Sequence, residues 1–278
     1  MSEPSPKEQE VILGQFRAQL VKQDLMHEGD TIGTDDFTLL RFLRARGYDV
    51  KASVEMWAKC QEWRKTMDGV GIDELYTKMD AYDPVAVPRA PRVFEYWPMW
   101  FHKTDKEGRP VSIQHYGAVN IPELYKHITP ERFWWYVVTM AESIPREIIP
   151  TASRAAGHQV DGTFLIVDLK GYSLGQFWQM KDLVRAAFQI MQDYYPELSA
   201  KFFIINAPWS FTTIWSLLKL WLAPRTIEKM DVLGGDYQAV LLKHIDAENL
   251  PAFYGGTCEC SEVGGCKWSR PARDGEGR

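Results

Sequence analysis

Apolar residues recur at helical spacing through the first part of the chain. Between residues 6 and 67 they return at the period of one face of an α-helix. The sequence SPKE, which starts at Ser5, has the form of a capping box with proline at the first helical position. Further helices are predicted from Asp35 or Asp36, up to about Met67, and from Asp73 to Met79. The pattern predicts an all-helical N-terminal lobe, residues 1–80.

Prolines punctuate the stretch that follows this lobe. They are Pro84, Pro88, Pro91 and Pro98. A run of prolines is typical of an irregular linker, because proline has no backbone N–H and restricts the residue before it. We therefore predict a boundary near residue 80, a second domain at 81–257 and a C-terminal tail at 258–278.

Short apolar runs alternate with helical patterns beyond the linker. Met99–Phe101 and Val111–Ile113 flank a polar turn and predict a hairpin. Thr129-Pro130 starts an aromatic-rich helix, and Thr163–Leu169 reads as a buried strand that precedes another helix. Alternating strands and helices are typical of a mixed, largely parallel sheet in the α/β class.

The most apolar stretch of the chain lies between residues 192 and 230. A short buried strand ends at Asn206, Pro208 blocks its continuation, and a helix is predicted from Ser210 to Leu222 with Ser210 as its N-cap. Its apolar positions are Phe211, Ile214, Trp215, Leu218, Trp221 and Leu222. This stripe is wider than the roughly 100° that packing on a core requires, so we predict a lid over an apolar cavity. The alternative is an unusually apolar core helix.

The same stretch is too interrupted to span a membrane. A transmembrane helix needs about 20 apolar residues in one piece. Here Asn206 and Pro208 divide the uncharged run 202–218 into a strand and a short helix. We therefore expect transient contact with a membrane surface rather than a membrane-spanning segment.

Charge and cysteine content narrow the classes of function. The 278 residues carry a formal net charge of −5 without basic clusters, so we expect no nucleic-acid partner. The first ten residues lack the charged and apolar regions of a signal peptide. Four cysteines in a chain of this length do not form a disulfide framework. A cytoplasmic protein is expected.

Catalytic and metal motifs are absent from the sequence. It contains no G-x-S-x-G, phosphate-binding loop or H-E-x-x-H sequence, so we predict no catalytic residue. Cys258, Cys260 and Cys266 have the spacing C-x-C-x5-C and would supply three ligands of a zinc site, whose fourth would have to be Cys60 or a histidine. The histidines lie in different elements without ligand spacing. We therefore expect no metal.

A series of motifs resembles the CRAL-TRIO lipid-binding family, in particular the fungal phosphatidylinositol/phosphatidylcholine transfer proteins of the secretory pathway. The motifs are LLRFLRARGYDV, HKTDKEGRPV, GAVN, SRAAGH, DLKG, YYPE, INAPWSF and ENLPAFYGG. They run in order from about Asp35 to Gly256. The resemblance implies a helical N-terminal lobe, a mixed sheet that floors an apolar pocket, and a mobile gate helix at Ser210–Leu222.

The resemblance also implies a headgroup site. The family holds inositol phosphate with residues that correspond here to Arg46, Glu197, Thr226 and Lys229. Cations and a hydroxyl suit a phosphodiester, and a carboxylate accepts from inositol hydroxyls. The alternative interpretation makes Arg46 a cation at a helix C-terminus and pairs Glu197 with Lys229 as a salt bridge.

A second lipid is less clearly specified. Relatives that carry phosphatidylcholine place tyrosines and small hydroxyl residues at positions filled here by Phe101, Ser112, Ala141, Thr163 and Leu165. An aromatic cage suits a quaternary ammonium, and two of its rings are missing here. Nearby aromatic residues that would rebuild the cage or fill its space are Trp100, Trp134, Trp135 and Tyr136. The second ligand stays open, and sterol and haem binding occur among distant relatives.

The resemblance implies a non-enzymatic protein that exchanges phosphatidylinositol between membranes and presents it to lipid kinases. We expect a monomer, peripheral on Golgi or endosomal membranes, with bound phospholipid as ligand and no cofactor. One alternative is a sensor or scaffold that carries another hydrophobic ligand. The other, a lipid-modifying hydrolase, is disfavoured because no nucleophile motif is present.

Overall fold

A helical lobe precedes a five-stranded mixed sheet flanked by helices. The computed structural model describes residues 3–80, 90–209 and 211–268. The predicted α/β class and the mixed, largely parallel sheet are confirmed. No helix within the described ranges is both long and apolar enough to cross a bilayer.

The N-terminal lobe contains the four predicted helices. They are α1 (Pro6–Lys22), α2 (Asp36–Ala45), α3 (Val50–Thr66) and α4 (Ile72–Asp80). The capping box predicted at Ser5 is present, and Asp35 caps α2 by accepting from the backbone N–H of Thr38. Phe16 of α1 packs edge-on against Trp57 of α3, and both side chains are fully buried. The lobe therefore has its own apolar core.

The predicted linker is wrong for part of its length. Residues 90–96 form helix α5 (Ala90–Tyr96), with Pro91 at its second position. Proline is tolerated there because the first backbone N–H groups of a helix have no internal partner. Val93 and Trp97 are buried in the larger of the two apolar cores that pack against the sheet. Pro84 and Pro88 lie outside the described residues.

The sheet has the strand order β1-β2-β3-β4-β5. Its strands are β1 (Met99–Thr104), β2 (Pro110–His115), β3 (Thr163–Asp168), β4 (Ser199–Ile205) and β5 (Met230–Val232). Strands β1 and β2 form the predicted antiparallel hairpin, and every later pair is parallel. The parallel part reflects the predicted alternation of strands with helices.

Helices cover both faces of the sheet. After α5 they are α6 (Ile121–Leu124), α7 (Pro130–Ser143), α8 (Ile149–Ala156), α9 (Leu174–Tyr194), α10 (Phe211–Leu218), α11 (Pro224–Glu228) and α12 (Gln238–His244). A π-helical turn at Ile144–Ile148 joins α7 to α8. The predicted start of α7 is confirmed, because Thr129 caps it.

Alternate residues of the strands separate two apolar layers. Val167 and Phe202 face the larger core, which contains α7, α9 and α10. Phe164 and Phe203 belong to a second core on the opposite face, together with Leu241 of α12. Successive side chains of a strand point to opposite faces, so neighbouring residues serve different layers.

A buried ion pair joins the N-terminal lobe to the sheet domain. Arg64 of α3 donates to both oxygens of Glu142 in α7, at 2.9 and 2.6 Å. Glu142 is fully buried and also accepts from Arg146 and, at 2.6 Å, from the Tyr195 hydroxyl. Burial and the adjacent Glu142 raise the pKa of Tyr195, so its hydroxyl stays a donor. The carboxylate is therefore held by groups from both parts of the chain.

The predicted gate helix is shorter than expected. Helix α10 ends at Leu218, whereas the prediction extended it to Leu222. Ala223 is extended, with ψ at 145°, because the residue before Pro224 is disfavoured in the helical region. Residues 219–222 therefore form turns that lead into α11. The predicted N-cap Ser210 lies outside the described residues.

Candidate functional site

A cavity of about 750 Å³ lies on the sheet face that carries the larger core. Leu165 and Phe202 form part of its floor, and Val184 and Phe188 of α9 form part of a wall. Tyr116 also lines it, and burial raises the pKa of Tyr116 to about 12, so its phenol stays neutral. The cavity is therefore suited to an apolar ligand with few polar groups.

The residues predicted for a second ligand come together in this cavity. All five line its wall: Phe101, Ser112, Ala141, Thr163 and Leu165. The sheet register pairs Ser112 with Phe101 on one side and with Leu165 on the other. Thr163 Oγ1 donates to the Leu198 carbonyl at 3.3 Å. This part of the wall therefore presents the ring of Phe101, the side chain of Ser112, and the apolar side chains of Ala141 and Leu165.

Of the four aromatic residues predicted nearby, Trp134 lines the cavity, whereas Trp100 is buried in the second core on the opposite face of the sheet. Tyr136 instead packs between Phe94 and Phe133 in the larger core. Trp135 packs against the small core formed around Ile72 and Leu75. The structure therefore places one of these four rings at the cavity.

The four residues predicted for the headgroup line the same cavity. Arg46 follows α2, Glu197 lies between α9 and β4, Thr226 lies in α11, and Lys229 follows α11. Lys229 Nζ donates to Glu197 Oε2 at 2.6 Å and to the Ser199 carbonyl at 3.1 Å. Three separate segments thus bring cations, a hydroxyl and a carboxylate to one region.

Glu197 adopts an unusual backbone conformation. Its φ is +60°, a value that costs a residue with a side chain about 1–3 kcal/mol. Its side chain is 13% exposed and is held by Lys229. Strained residues persist where the surrounding structure determines them, and they concentrate at ligand sites. The conformation directs the carboxylate into the charged part of the cavity wall.

Arg225 is a further cation that the sequence analysis missed. It lines the cavity, and its Nε lies 3.8 Å from Glu197 Oε1. Its position beside Thr226 in the sequence was the available signal. Asp193 and Arg185 also line the cavity, so its wall has four cations and two carboxylates. The surplus of positive charge favours an anionic group such as a phosphate.

The segment that follows α10 closes one side of the cavity. Leu220, Trp221 and Ala223 line it. The Gln192 side chain donates to the Trp221 carbonyl at 2.9 Å and accepts from the backbone N–H of Ala223. Trp221 also stacks on Phe177 of α9, with ring centroids 6.2 Å apart. Residues between 220 and 226, rather than those of α10, therefore cover this side of the cavity.

Helix α10 does not present the broad outward apolar surface that we predicted. Its exposed side chains are polar: Thr212, Thr213 and Ser216. The predicted gate residues Phe211, Ile214, Leu218 and Leu222 are buried in the larger core, and Trp215 and Trp221 are partly buried. The exposed apolar residues lie at its two ends, where Trp209 is 91% and Leu220 78% exposed. In this conformation the helix packs as a core helix.

Two family models match the chain. The model described as the CRAL/TRIO domain matches residues 94–256, and the model described as CRAL/TRIO, N-terminal domain matches residues 12–59. The first range contains most of the cavity wall. The second contains α2 and most of α3.

Several known proteins are similar over most of the chain. The Sec14 cytosolic factor of Schizosaccharomyces pombe is 39% identical over 249 residues, which is 90% of this chain and 83% of that protein. The SEC14 cytosolic factor of Kluyveromyces lactis is 42% identical over 258 residues, covering 93% and 81%. The phosphatidylinositol/phosphatidylcholine transfer protein SFH9 of Arabidopsis thaliana is 37% identical over 264 residues, covering 94% and 43%.

A solved structure supports the fold alone. The crystal structure of Sfh5 matches 85% of this chain and 84% of its own, with a TM-score of 0.55 and 14% identity. At that identity the likeness concerns the arrangement of helices and strands.

Proposed function

The chain belongs to the CRAL/TRIO family, and we propose that it binds phosphatidylinositol and carries it between membranes. Two of its relatives are called Sec14 cytosolic factors, and a third is called a phosphatidylinositol/phosphatidylcholine transfer protein. The observation that carries the proposal is the position of Arg46, Arg225, Lys229 and Glu197 at the wall of an otherwise apolar cavity.

This arrangement matches the chemistry of one phospholipid class. The phosphodiester of phosphatidylinositol would bind the guanidinium and ammonium groups of Arg46 and Lys229 and the hydroxyl of Thr226. The inositol hydroxyls would donate to the carboxylate of Glu197. Without a ligand, Lys229 donates to Glu197 at 2.6 Å. In the proposed complex the headgroup would lie between these two side chains and bind each of them.

The acyl chains explain why a closed cavity is required. Each buried methylene is worth about 0.8 kcal/mol, so two chains exposed to water cost more than roughly 20 kcal/mol. A carrier must therefore replace the bilayer before the lipid leaves it. The segment at residues 220–226 would move aside to admit lipid at the membrane surface. Trp209 and Leu220, both strongly exposed, would contact the bilayer at that moment.

The remaining aspects of the proposal follow from this cycle. The protein would act without catalysis and without a cofactor, as a monomer in the cytoplasm. It would associate transiently with Golgi or endosomal membranes and offer its phosphatidylinositol to a lipid kinase. The names of two relatives, which call them cytosolic factors, support the cytoplasmic part of this proposal.

Lipid analysis tests the proposal directly. We expect native mass spectrometry of the purified full chain to detect co-purified phosphatidylinositol. Labelled phosphatidylinositol should then move between donor and acceptor vesicles at a rate proportional to protein concentration. Absence of both results, with another hydrophobic molecule in the cavity, would contradict the proposal. Hydrolysis products in the same assay would contradict its non-enzymatic part.

A further inference from the structure

Four side chains with metal-binding atoms converge at one point outside the lipid cavity. They are His102 of β1 and Cys258, Cys260 and Cys266 of the C-terminal segment, and their ligand atoms all lie within 4.8 Å of one another. The sulfurs of Cys258 and Cys260 are 3.4 Å apart. Tetrahedral zinc with Zn–S bonds of about 2.3 Å places its sulfur ligands about 3.8 Å apart. Small movements would therefore bring the four atoms to zinc geometry.

The cysteines are the buried residues among the described side chains of the C-terminal segment. Among the described side chains of residues 257–267, only Cys258, Cys260 and Cys266 are buried. They form a cluster of their own, separate from the apolar cores. Because the described side chains of this segment bury three thiols and no aliphatic group, they provide little hydrophobic stabilisation, and small units of this kind are usually held by a metal or a disulfide.

The backbone of this segment turns to bring the thiols together. Cys260 has a φ of +47°, and Gly264 and Gly265 have φ of +83° and +118°. The N–H of Gly265 donates to the Cys260 carbonyl at 2.8 Å, which closes the turn between the second and third cysteine. The glycines are needed here because their φ values are unfavourable for residues with side chains.

The histidine comes from the sheet. Phe101 lines the lipid cavity, and strand alternation places the next residue, His102, on the opposite face beside the second core. His102 is only 1% exposed. The following residue, Lys103, donates to the Glu248 carbonyl at 2.8 Å and so fixes this end of β1 against the segment that leads to the cysteines.

We propose that His102, Cys258, Cys260 and Cys266 bind one zinc ion. Three thiolates and one imidazole are a ligand set of structural zinc sites, and four protein ligands leave no open position for catalysis. Sequence spacing alone had predicted no metal, because the histidine is remote from the cysteines in the chain. Cys60, the other residue considered as fourth ligand, lies in α3 with its sulfur 3.4 Å from the Tyr194 carbonyl.

The zinc would attach the C-terminal segment to the edge strand of the sheet. Its three cysteines lie beyond residue 256, where the match to the CRAL/TRIO model ends. The site is on the sheet face opposite the lipid cavity, so its role is to hold the fold rather than the lipid. Loss of the metal should therefore lower stability and expose thiols, whether or not the protein transfers phosphatidylinositol.

Metal analysis of the full chain tests this assignment. Protein is produced in zinc-supplemented medium and purified under reducing conditions without a metal-affinity column. We expect elemental analysis to give about one zinc per chain, as a single four-ligand site requires. Replacement by Co²⁺ should give the visible absorption of tetrahedral cobalt together with a thiolate charge-transfer band. Chelation should make three additional cysteines reactive and lower the melting temperature.

Single substitutions identify the ligands. Cys266→Ser and His102→Gln should each lower zinc content at least fivefold, whereas Cys60→Ser and His158→Gln should retain it. If a ligand variant does not fold, the cobalt spectrum and the thiol release of the unsubstituted protein still show whether the cysteines bind a metal ion. Folded, reduced protein that binds neither zinc nor cobalt would overturn the proposal. So would a disulfide among these cysteines, iron in place of zinc, or unchanged zinc in both ligand variants.

Discussion

Lys229 Nζ lies 2.6 Å from Glu197 Oε2, although the two residues belong to different segments at the cavity wall. The same ammonium group donates to the Ser199 carbonyl at 3.1 Å. The pair admits two interpretations, a structural salt bridge or two halves of a headgroup site. A salt bridge that is still partly exposed contributes about 1 kcal/mol or less. Its effect on stability should therefore be small, and any large effect on transfer must come from the ligand.

Removal of this pair should abolish transfer without loss of the fold. We expect the double variant Glu197→Ala with Lys229→Ala to transfer phosphatidylinositol at least tenfold more slowly, a change equivalent to about 1.4 kcal/mol. Its free energy of unfolding should stay within about 1 kcal/mol of the unsubstituted protein, because both charges of the pair are removed together and the partly exposed Arg225, which also loses Glu197, keeps Glu3 at 3.7 Å. Vesicle transfer and urea denaturation measure the two quantities.

The control for this experiment is Lys243→Ala. Lys243 is exposed on α12, on the far side of the sheet. The substitution removes one positive charge without touching the cavity, so transfer should be unchanged. Undiminished transfer by the double variant would show that the pair is only a salt bridge.

Substitution at the exposed ends of α10 should weaken membrane binding. Trp209 is 91% exposed, so Trp209→Ser should leave stability unchanged and reduce vesicle binding about tenfold. Ile214 is buried in the larger core, so Ile214→Ser should instead cost about 2–4 kcal/mol of folding stability. Vesicle flotation and thermal denaturation separate the two effects.

Phe253 offers a matched aromatic control for Trp209. It is 52% exposed and lies next to Tyr254, which belongs to the core on the opposite sheet face. Phe253→Ser should bind vesicles normally. If it weakened binding as much as Trp209→Ser, the membrane would not be contacted specifically through the gate region.

Phosphatidylcholine should be a poor ligand. The cavity wall has Ser112 and Ala141 where the resemblance implies tyrosines, and Leu165 where it implies a hydroxyl. Loss of cation–π contacts and of a phosphate donor together costs roughly 3–5 kcal/mol, or a few hundred-fold in affinity. Competition between labelled phosphatidylinositol and phosphatidylcholine in vesicle transfer measures the preference.

Restoring the missing groups should raise phosphatidylcholine transfer. Ser112 and Leu165 are register partners on β2 and β3, so Ser112→Tyr with Leu165→Ser places a ring beside a hydroxyl. Leu165→Val is the matched change that adds no hydroxyl and should have no such effect. Rapid phosphatidylcholine transfer by the unsubstituted protein would refute the prediction, and Trp134 would then be the ring to test.

Breaking the ion pair between the lobes should be costly. Arg64→Met leaves the fully buried Glu142 with fewer donors, and we expect a loss of about 3–5 kcal/mol in the free energy of unfolding. Arg17→Met removes an exposed pair with Asp36, whose atoms lie 2.7 Å apart, and should cost less than about 1 kcal/mol. Urea denaturation would contradict the argument if the two variants lost equal stability.

Sequence patterns predicted the elements whose signals are local. The capping box at Ser5, the cap at Asp35 and the hairpin between β1 and β2 all depend on residues close together in the chain. The end of α10 was missed although Pro224 signalled it, because the apolar period continues through Leu222. Helix α5 was missed because proline at a helix start resembles proline in a linker.

The cavity was predicted less directly. Its headgroup residues came from a resemblance, and nothing in their spacing places Arg46 near Lys229. Arg225 was missed because a cation beside a functional residue looks like any surface arginine. His102 was missed for another reason: a histidine joins distant cysteines only when the strand and the C-terminal segment are packed together. Such contacts depend on the tertiary fold, which local periodicity does not encode.

The buried contact of Arg64 with Glu142 also orders events during synthesis. The ribosome releases the N-terminal lobe first, and domains generally begin to fold as they emerge. Arg64 has no Glu142 until α7 has been made, and Tyr195, which donates to the same carboxylate, is made only after α9. Arg64 therefore lacks its buried carboxylate partner until about half of the chain has been synthesised, and before then the carboxylate nearest to it is that of the exposed Asp73, 3.6 Å away in the folded protein.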